Sequence, residues 1–401
     1  MTSEAGEHAP RHPRGFVFTV RRELRRILSN RFHLVFLVGL PCFGFAAILL
    51  IFHQELVRAL PVAVCDMDGS AASRLVIRKL SAAPSMRIVR QVDSPREAMM
   101  LMRRGEIYAY LFVPKDFEFD AKRGHPATAV AYYNAQWVLP GNMINRDLSN
   151  VSASISAAFE GKMRQHEGEP RAVIAALAQP VVIDGHPLFN PQLDYRYFLT
   201  TALLPSILQI CILLATIHAV GMELKNGTAD IFLAGAKGSL WQALAGKLLP
   251  LTVYYSLFGL GMVTLLFRYL GMPLRGGFAM TCAGTVLFVL AYQAVGLLFI
   301  AALGNFRLST SLAAVYAAPA FAFTGITFPI LGMPLFAKIW SGLLPLTWYL
   351  EFLVRYGFHG APLSMAMQDV AVMGAFILIC PLIAGPILSY RLRNPATWGE
   401  L

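Results

Sequence analysis

Apolar positions along this chain gather into long unbroken runs rather than the spaced stripes of a soluble helix. The first run is Phe32 to Phe52; after a polar interval come runs at about Tyr197 to Val220, Leu248 to Leu270, Phe278 to Leu303, Ser309 to Ile330 and Val370 to Tyr390. At 1.5 Å per residue, each is long enough as a helix for roughly 30 Å of hydrocarbon. The pattern predicts six crossings. Leu331 to Pro362 is also apolar but is interrupted by Gly332, Pro334, Pro345 and Pro362, which predicts two short helices joined by turns, a re-entrant segment rather than a seventh span. Before the first run, Arg21, Arg22, Arg25, Arg26 and Arg31 interleave with Val20, Leu24, Ile27 and Leu28 at helical spacing. Such a helix lies on the headgroups of the cytoplasmic face. The first run continues into His53-Gln54-Glu55-Leu56-Val57-Arg58 without a small-x-small cleavage site, and reads as an uncleaved anchor.

The interval between the first two runs has the pattern of a soluble α/β domain. Pro61 to Asp66 reads as a strand ending in the turn Met67-Asp68-Gly69-Ser70, followed by an amphipathic helix carrying Leu75, Val76 and Leu80. Met86 to Val89, Ile107 to Val113 and Thr128 to Tyr133 read as further strands. Ser94 caps a helix through Met102, and a long helix poor in leucine extends from about Leu139 to Gln165. Strands separated by helices predict a small, mostly parallel sheet covered by helices. Gln179 to Tyr195, rich in Pro and Gly, reads as an irregular connector.

Composition agrees with a membrane protein: 56% of the 401 residues are hydrophobic and 14% are charged. The net charge of +11 is concentrated beside the apolar runs, where Lys and Arg resist translocation, so the basic excess reports topology and anionic lipid rather than nucleic acid. With the N-terminus inside, six crossings place 221–247, Asn305 to Arg307 and the tail with Arg391 and Arg393 in the cytoplasm. Of five cysteines only Cys65 lies in the polar interval, which excludes a disulfide within it. No histidine pair has zinc spacing on one helix, and no nucleophile–base constellation is evident. Asp66 and Asp68 follow a strand, where carboxylates serve a turn and a helix start more often than a cation.

The richest segment is the loop from Gly221 to Lys247: Glu223, Lys225, Gly227, Thr228, Asp230, Ile231, Phe232 and Leu233. Gly227 suits a turn, Thr228 a helix cap and Asp230 the positive end of a short amphipathic helix. Gly246-Lys247 lacks the earlier glycine and the Ser or Thr of a P-loop, so the lysine reads as one that snorkels from a helix end. Glu351 and Arg355 lie four apart in the broken apolar stretch and can pair on a helix; there they read as an interfacial ion pair or a gate near the outer leaflet.

Taken together, Glu223 with Gly227-Thr228, Gly246-Lys247-Leu248-Leu249-Pro250, Asp66-Met67-Asp68-Gly69-Ser70 with Ser73-Arg74, Pro114-Lys115-Asp116-Phe117 and Phe189-Asn190-Pro191 form a recognisable series. With Gly325 to Pro329 including Phe328, Gly332-Met333-Pro334, Leu344 to Tyr349 including Pro345, and Arg355, it resembles the membrane subunit of ABC exporters of the type 2 permease class. The chain departs from that pattern at Lys225-Asn226, Gly235-Ala236 and Pro205-Ser206. The resemblance implies that Glu223 to Leu233 is an ATPase-coupling segment, and that Phe328, Pro329, Met333, Pro334, Pro345 and Arg355 belong to a re-entrant region; with Glu351, read from its charge, these are the gate candidates.

The expectation is therefore an α-helical polytopic membrane protein of six transmembrane helices plus re-entrant short helices, with an inserted α/β extracytoplasmic domain. Its parts are a cytoplasmic amphipathic helix in residues 1–31, the first span in 32–52, a periplasmic α/β domain in 53–196, and spans two to six in 197–401, with the coupling loop at 221–247 and the re-entrant segment at 331–362. By resemblance it is the permease of an ATP-driven exporter in a bacterial inner membrane, with both termini cytoplasmic. It binds no cofactor or metal itself. Its expected partners are a cytoplasmic ABC ATPase that uses ATP, a second permease chain, membrane lipids and a periplasmic membrane-fusion adaptor. The alternative is a non-transporting receptor or scaffold with a ligand-binding external domain.

Overall fold

A computed structural model of the chain describes residues 15–29, 34–51, 59–123, 127–134, 138–166 and 195–399. These fall into two compact units: residues 1–53 with 188–401, and residues 54–187. The Phe189-Asn190-Pro191 motif and most of the connector around it lie outside the described residues. The helical unit begins with α1 (Phe16–Ser29) and, after a π-helical turn at Val35–Gly39, α2 (Leu40–Ile51).

The intervening unit contains β1 (Leu60–Asp66), α3 (Ala71–Ser81), β2 (Met86–Gln91), α4 (Pro95–Arg103), β3 (Ala109–Val113), α5 (Phe117–Lys122), β4 (Val130–Tyr133) and α6 (Val138–His166). Its sheet has the order β2-β1-β3-β4; β1 runs parallel to β2 and β3, and β4 is antiparallel to β3. β1 is apolar at successive positions because both its faces are covered. Leu60, Val62 and Val64 pack with Val76 and Leu80 of α3 and Ile144 of α6, whereas Ala63 and Cys65 pack with Ala98 and Leu101 of α4. Burial pushes the Cys65 thiol up, and Asp93, Asp66 and Glu97 add to that, so at neutral pH it is a protonated core thiol and a poor nucleophile. The Asp66 carboxylate closes the turn after β1: it accepts from the amides of Asp68 (3.1 Å) and Gly69 (3.0 Å) and from the Ser73 hydroxyl (2.8 Å).

The helical unit resumes with α7 (Tyr195–Lys225), α8 (Ala229–Gly235), α9 (Leu240–Thr264, continued by a π turn at Leu265–Tyr269), α10 (Phe278–Leu303), α11 (Phe306–Ala317) and α12 (Ala320–Phe323). It ends with α13 (Leu335–Gly342), α14 (Pro345–Phe352, continued by a π turn at Leu353–Phe358) and α15 (Leu363–Arg393). Among the described residues, four helical stretches are long and apolar enough to cross a membrane: Tyr197–Lys225, Leu240–Tyr269, Phe278–Leu303 and Leu363–Arg393. The first apolar run appears as the shorter apolar helix Leu37–Ile51.

The expected span from Ser309 to Ile330 is not one helix. Pro319 has no amide hydrogen and cannot bond back to the preceding turn, although Ala318 before it keeps helical dihedrals (φ -60°, ψ -48°). The 12 residues of α11 reach about 18 Å, too short to cross alone. Backbone freed at such a break needs partners within the protein. Gln209 of α7 donates to the Ala317 carbonyl (3.3 Å) and Tyr316 donates to that of Leu343 (2.6 Å). Further along, the Trp348 indole donates to the Gly342 carbonyl (2.9 Å), and the Leu346 amide donates to the Tyr292 hydroxyl (3.2 Å).

α1 packs along α9, and glycine permits the approach. A Cβ on Gly246 would collide with the Thr19 side chain and come 3.2 Å from the Phe16 carbonyl oxygen. The Gly15 amide also donates to the Gly235 carbonyl (2.7 Å), tying the start of α1 to the end of α8. Gly246→Val should therefore cost about 1–3 kcal/mol through overpacking and loosen α1. The measurement is limited trypsin digestion at Arg21 and Arg25 in detergent: faster cleavage is expected, and wild-type protection would show that α1 does not depend on this contact.

Candidate functional site

The end of α7 is shaped by its sequence. Gly227 adopts a left-handed conformation (φ 64°). The Gly227 amide donates to the Leu224 carbonyl (3.3 Å) and the Thr228 amide to the Glu223 carbonyl (3.0 Å), the paired bonds that close a helix at a left-handed glycine. This reverses the chain into α8 and turns the Glu223 side chain inward. Thr228 stands at the N-cap of α8 as expected, but its hydroxyl donates to a Glu223 carboxylate oxygen instead of capping the helix.

Glu223 has no exposed side-chain surface and is ringed by cations from two other helices. One oxygen, Oε1, accepts from Arg22 (3.2 Å), Arg26 (2.9 Å) and Lys247 (2.7 Å), while Oε2 accepts from Arg22 (3.0 Å) and Thr228. Lys247 of α9, itself 2% exposed, also donates to Glu23 of α1 (2.7 Å). The aromatic face of Phe232 completes the site, with the Lys247 ammonium 5.3 Å and the Arg22 guanidinium 5.9 Å from the ring centre. Three cations and two carboxylates thus join α1, α7, α8 and α9 in one buried junction.

This junction corrects two readings. Lys247 does not snorkel; it is drawn inward because two carboxylates compensate its charge. The arginines of α1 divide: Arg21 and Arg25 are exposed, whereas Arg22 and Arg26 turn toward Glu223. The polar Thr19 and Glu23 are buried while Val17, Leu24 and Leu28 are exposed, so this helix gives its polar face to the protein. Glu23, Arg22, Arg26 and Lys247 were not identified as site residues from the sequence. The available signals were an acidic residue set among four arginines in α1 and a lysine within an apolar helix, a position that demands a partner.

Of the eight coupling-segment candidates, Glu223, Thr228, Phe232 and Leu233 face inward, and Gly227 makes the turn. Lys225 is half-buried, its ammonium 5.9 Å from the Phe306 ring centre. Asp230 and Ile231 face out, Ile231 being 63% exposed. The outer surface of α8 is therefore small: Asp230, Ile231 and Ala234, with Ile231 its one large apolar side chain.

The gate candidates are spread over consecutive short elements. Phe328, Pro329, Met333 and Pro334 lie in the turns between α12 and α13, and Pro345 opens α14. Glu351 and Arg355 do pair (3.1 Å), but Arg355 also binds Asp369 of α15 (3.1 and 3.3 Å) and the Met365 carbonyl (3.2 Å). Asp369 has a fully buried side chain and was missed because the sequence placed the last span from Val370 onward. Arg355 fastens the π turn after α14 to the start of α15.

Apolar helices of spanning length, a backbone repaired internally where they break, and a charged junction at one end of α7 and α9 define a multi-pass membrane protein. The chain belongs to the ABC-2 family: the model of that family, ABC-2 family transporter protein, matches residues 31–385. It is similar to the probable multidrug ABC transporter permease YbhR of Escherichia coli strain K12, with 23% identity over 360 residues, covering 88% of this chain and 92% of that protein. The protein of the same name in E. coli O157:H7 matches to the same extent. The chain is accordingly a membrane permease subunit of an ABC transporter, a class without its own ATPase. The class implies an ATPase partner and a second permease chain.

Breaking a buried ion-pair network by removing one member costs about 3–5 kcal/mol, because the opposing charges stay buried. Glu223→Ala strands Arg22 and Arg26 and weakens the hold on Lys247, so a loss of that order is expected in chemical unfolding followed in detergent. Glu23→Ala leaves Lys247 its bond to Glu223 and should cost clearly less. Equal losses would contradict the central place given to Glu223.

Proposed function

We propose that this chain is the permease half of an ATP-driven exporter in a bacterial inner membrane. Two such chains, or this chain and a paralogue, pair with two cytoplasmic ATPases. Both termini and α8 lie on the cytoplasmic side, and residues 53–196 form a periplasmic domain. The observation that carries this reading is the small outward face of α8, Asp230, Ile231 and Ala234, backed by a buried junction that reaches three other helices. A surface that must receive a push needs a stiff mount. Closure of the ATPases around ATP presses on α8, and the Glu223 network carries the displacement to α1, α7 and α9 as one body.

The substrate class that fits is hydrophobic or amphiphilic, such as a drug, lipid or glycan, in keeping with the multidrug description of the E. coli relative. The turns from Phe328 to Pro334, with Pro345 and the Glu351–Arg355–Asp369 cluster, are the candidate gate region near the outer leaflet. The long polar helix α6 is the candidate contact for a membrane-fusion adaptor.

The test is co-purification of the chain with its candidate ATPase in lipid, comparing wild type with Ile231→Asp. An interface anchor contributes about 2 kcal/mol or more, so the variant should hold the ATPase about 30-fold more weakly while its unfolding is unchanged. Wild-type retention and turnover in the variant would remove α8 from the docking surface. If wild type retains no ATPase, the receptor reading takes the place of the exporter.

A further inference from the structure

The chain does not leave the helical bundle where α15 ends. Asn394 begins a short turn in which its side chain accepts from the Ala396 amide (3.2 Å), and Pro395–Thr397 form one turn of 3-10 helix. The Thr397 hydroxyl (2.8 Å) and the Trp398 indole (3.1 Å) both donate to the Arg391 carbonyl, satisfying backbone that the helix end leaves open. The chain then turns back onto α7. The Gly399 amide donates to the Leu224 carbonyl (3.2 Å), the same oxygen that accepts from Gly227 in the turn before α8. The Trp398 ring lies over that turn, 3.8 Å from where a Cβ on Gly227 would stand. Arg393 donates to the Gly238 carbonyl beyond the other end of α8 (3.3 Å). Both flanks of the α8 loop are thus bound to the end of α15, independently of the Glu223 junction.

We propose that Asn394–Gly399 is a second coupling element, a strap by which displacement of α8 also reaches α15, with Trp398 as its positioning residue. This inference rests on the coupling reading of α8. The junction joins α8 to α1, α7 and α9; α8 also packs directly against α15, and the strap fastens it to that helix, which carries Asp369, the buried partner of Arg355. The four residues Leu224, Gly227, Trp398 and Gly399 form the joint. A tryptophan suits it because a flat, stiff ring covers a glycine turn at little cost in conformational entropy while its N–H holds the helix end. The strap fixes the position of α8 and contributes nothing to the outward face at Ile231, so binding of the ATPase and transmission to α15 separate experimentally.

The experiment uses the full chain with its candidate ATPase in lipid nanodiscs and reads two quantities, retention of the ATPase and the ATP turnover that the permease stimulates. Trp398→Ala, and separately a chain ending at Arg393, should retain the ATPase while stimulated turnover falls at least about fivefold, the lower end of ordinary coupling factors. Trp398→Phe keeps the ring over Gly227 and should recover most of the turnover, which a residue serving only overall stability would not do selectively. Wild-type turnover in both Trp398→Ala and the shortened chain overturns the strap and leaves the α8 reading intact. Failure of the wild-type chain to retain any ATPase overturns the α8 reading itself.

Discussion

A carboxylate with no solvent contact cannot stay ionised without compensation, and the cost of removing it from water is several kcal/mol even after relaxation. Glu223 meets that cost with donors from Arg22, Arg26, Lys247 and Thr228. None of these donors belongs to its own helix, so the ionised charge depends on α1 and α9. The arrangement explains features that are otherwise arbitrary: a left-handed glycine at 227 that aims Glu223 inward, a glycine at 246 that admits α1, and an N-terminal helix that buries its polar face. Within this low-dielectric setting the network is strong only when complete, which makes it suited to transmit force without yielding.

The same rule operates at the other charged cluster and at the helix breaks. Arg355 is shared between Glu351 and the buried Asp369, so the π turn after α14 cannot drift from α15 without exposing an unpaired charge. Where Pro319 ends α11, Gln209 and Tyr316 take up backbone and link α7, α11 and α13. Polar side chains within apolar helices are the fasteners between them. In the proposed exporter cycle, a stiff cytoplasmic junction and a broken, hydrogen-bonded region near the outer leaflet are the two ends of one lever.

Apolar runs and strand patterns were legible in the sequence because each reports a local property. β1 shows as a continuous apolar run, and the Ser94 cap is written in the residues beside it. Gly227 was legible as a turn for the same reason. The break at Pro319 was less so: the run from Ser309 is apolar enough to span, and proline is tolerated inside α7 and α9 (one each) and α15 (Pro381 and Pro386). At the break a long-range bond from Gln209 takes up the Ala317 carbonyl. The junction was hidden because its members lie about 200 residues apart in the chain, Arg22 with Glu223 and Glu23 with Lys247. Lys247 taken alone looks like a snorkelling residue, and α1 taken alone like a helix lying on the headgroups. Asp369 was missed because the last span was drawn from Val370, whereas the helix begins at Leu363.

The most direct measurement is a double-mutant cycle on unfolding free energy in detergent, with Glu223→Gln, Lys247→Met and the pair. If Glu223 and Lys247 share one buried network, the losses are not additive: once the carboxylate is neutral, removing the ammonium costs little or recovers stability, with a coupling of about 1–3 kcal/mol. Additivity within about 0.5 kcal/mol would mean that the two side chains do not sense each other, and the junction would lose its place as the mount for α8.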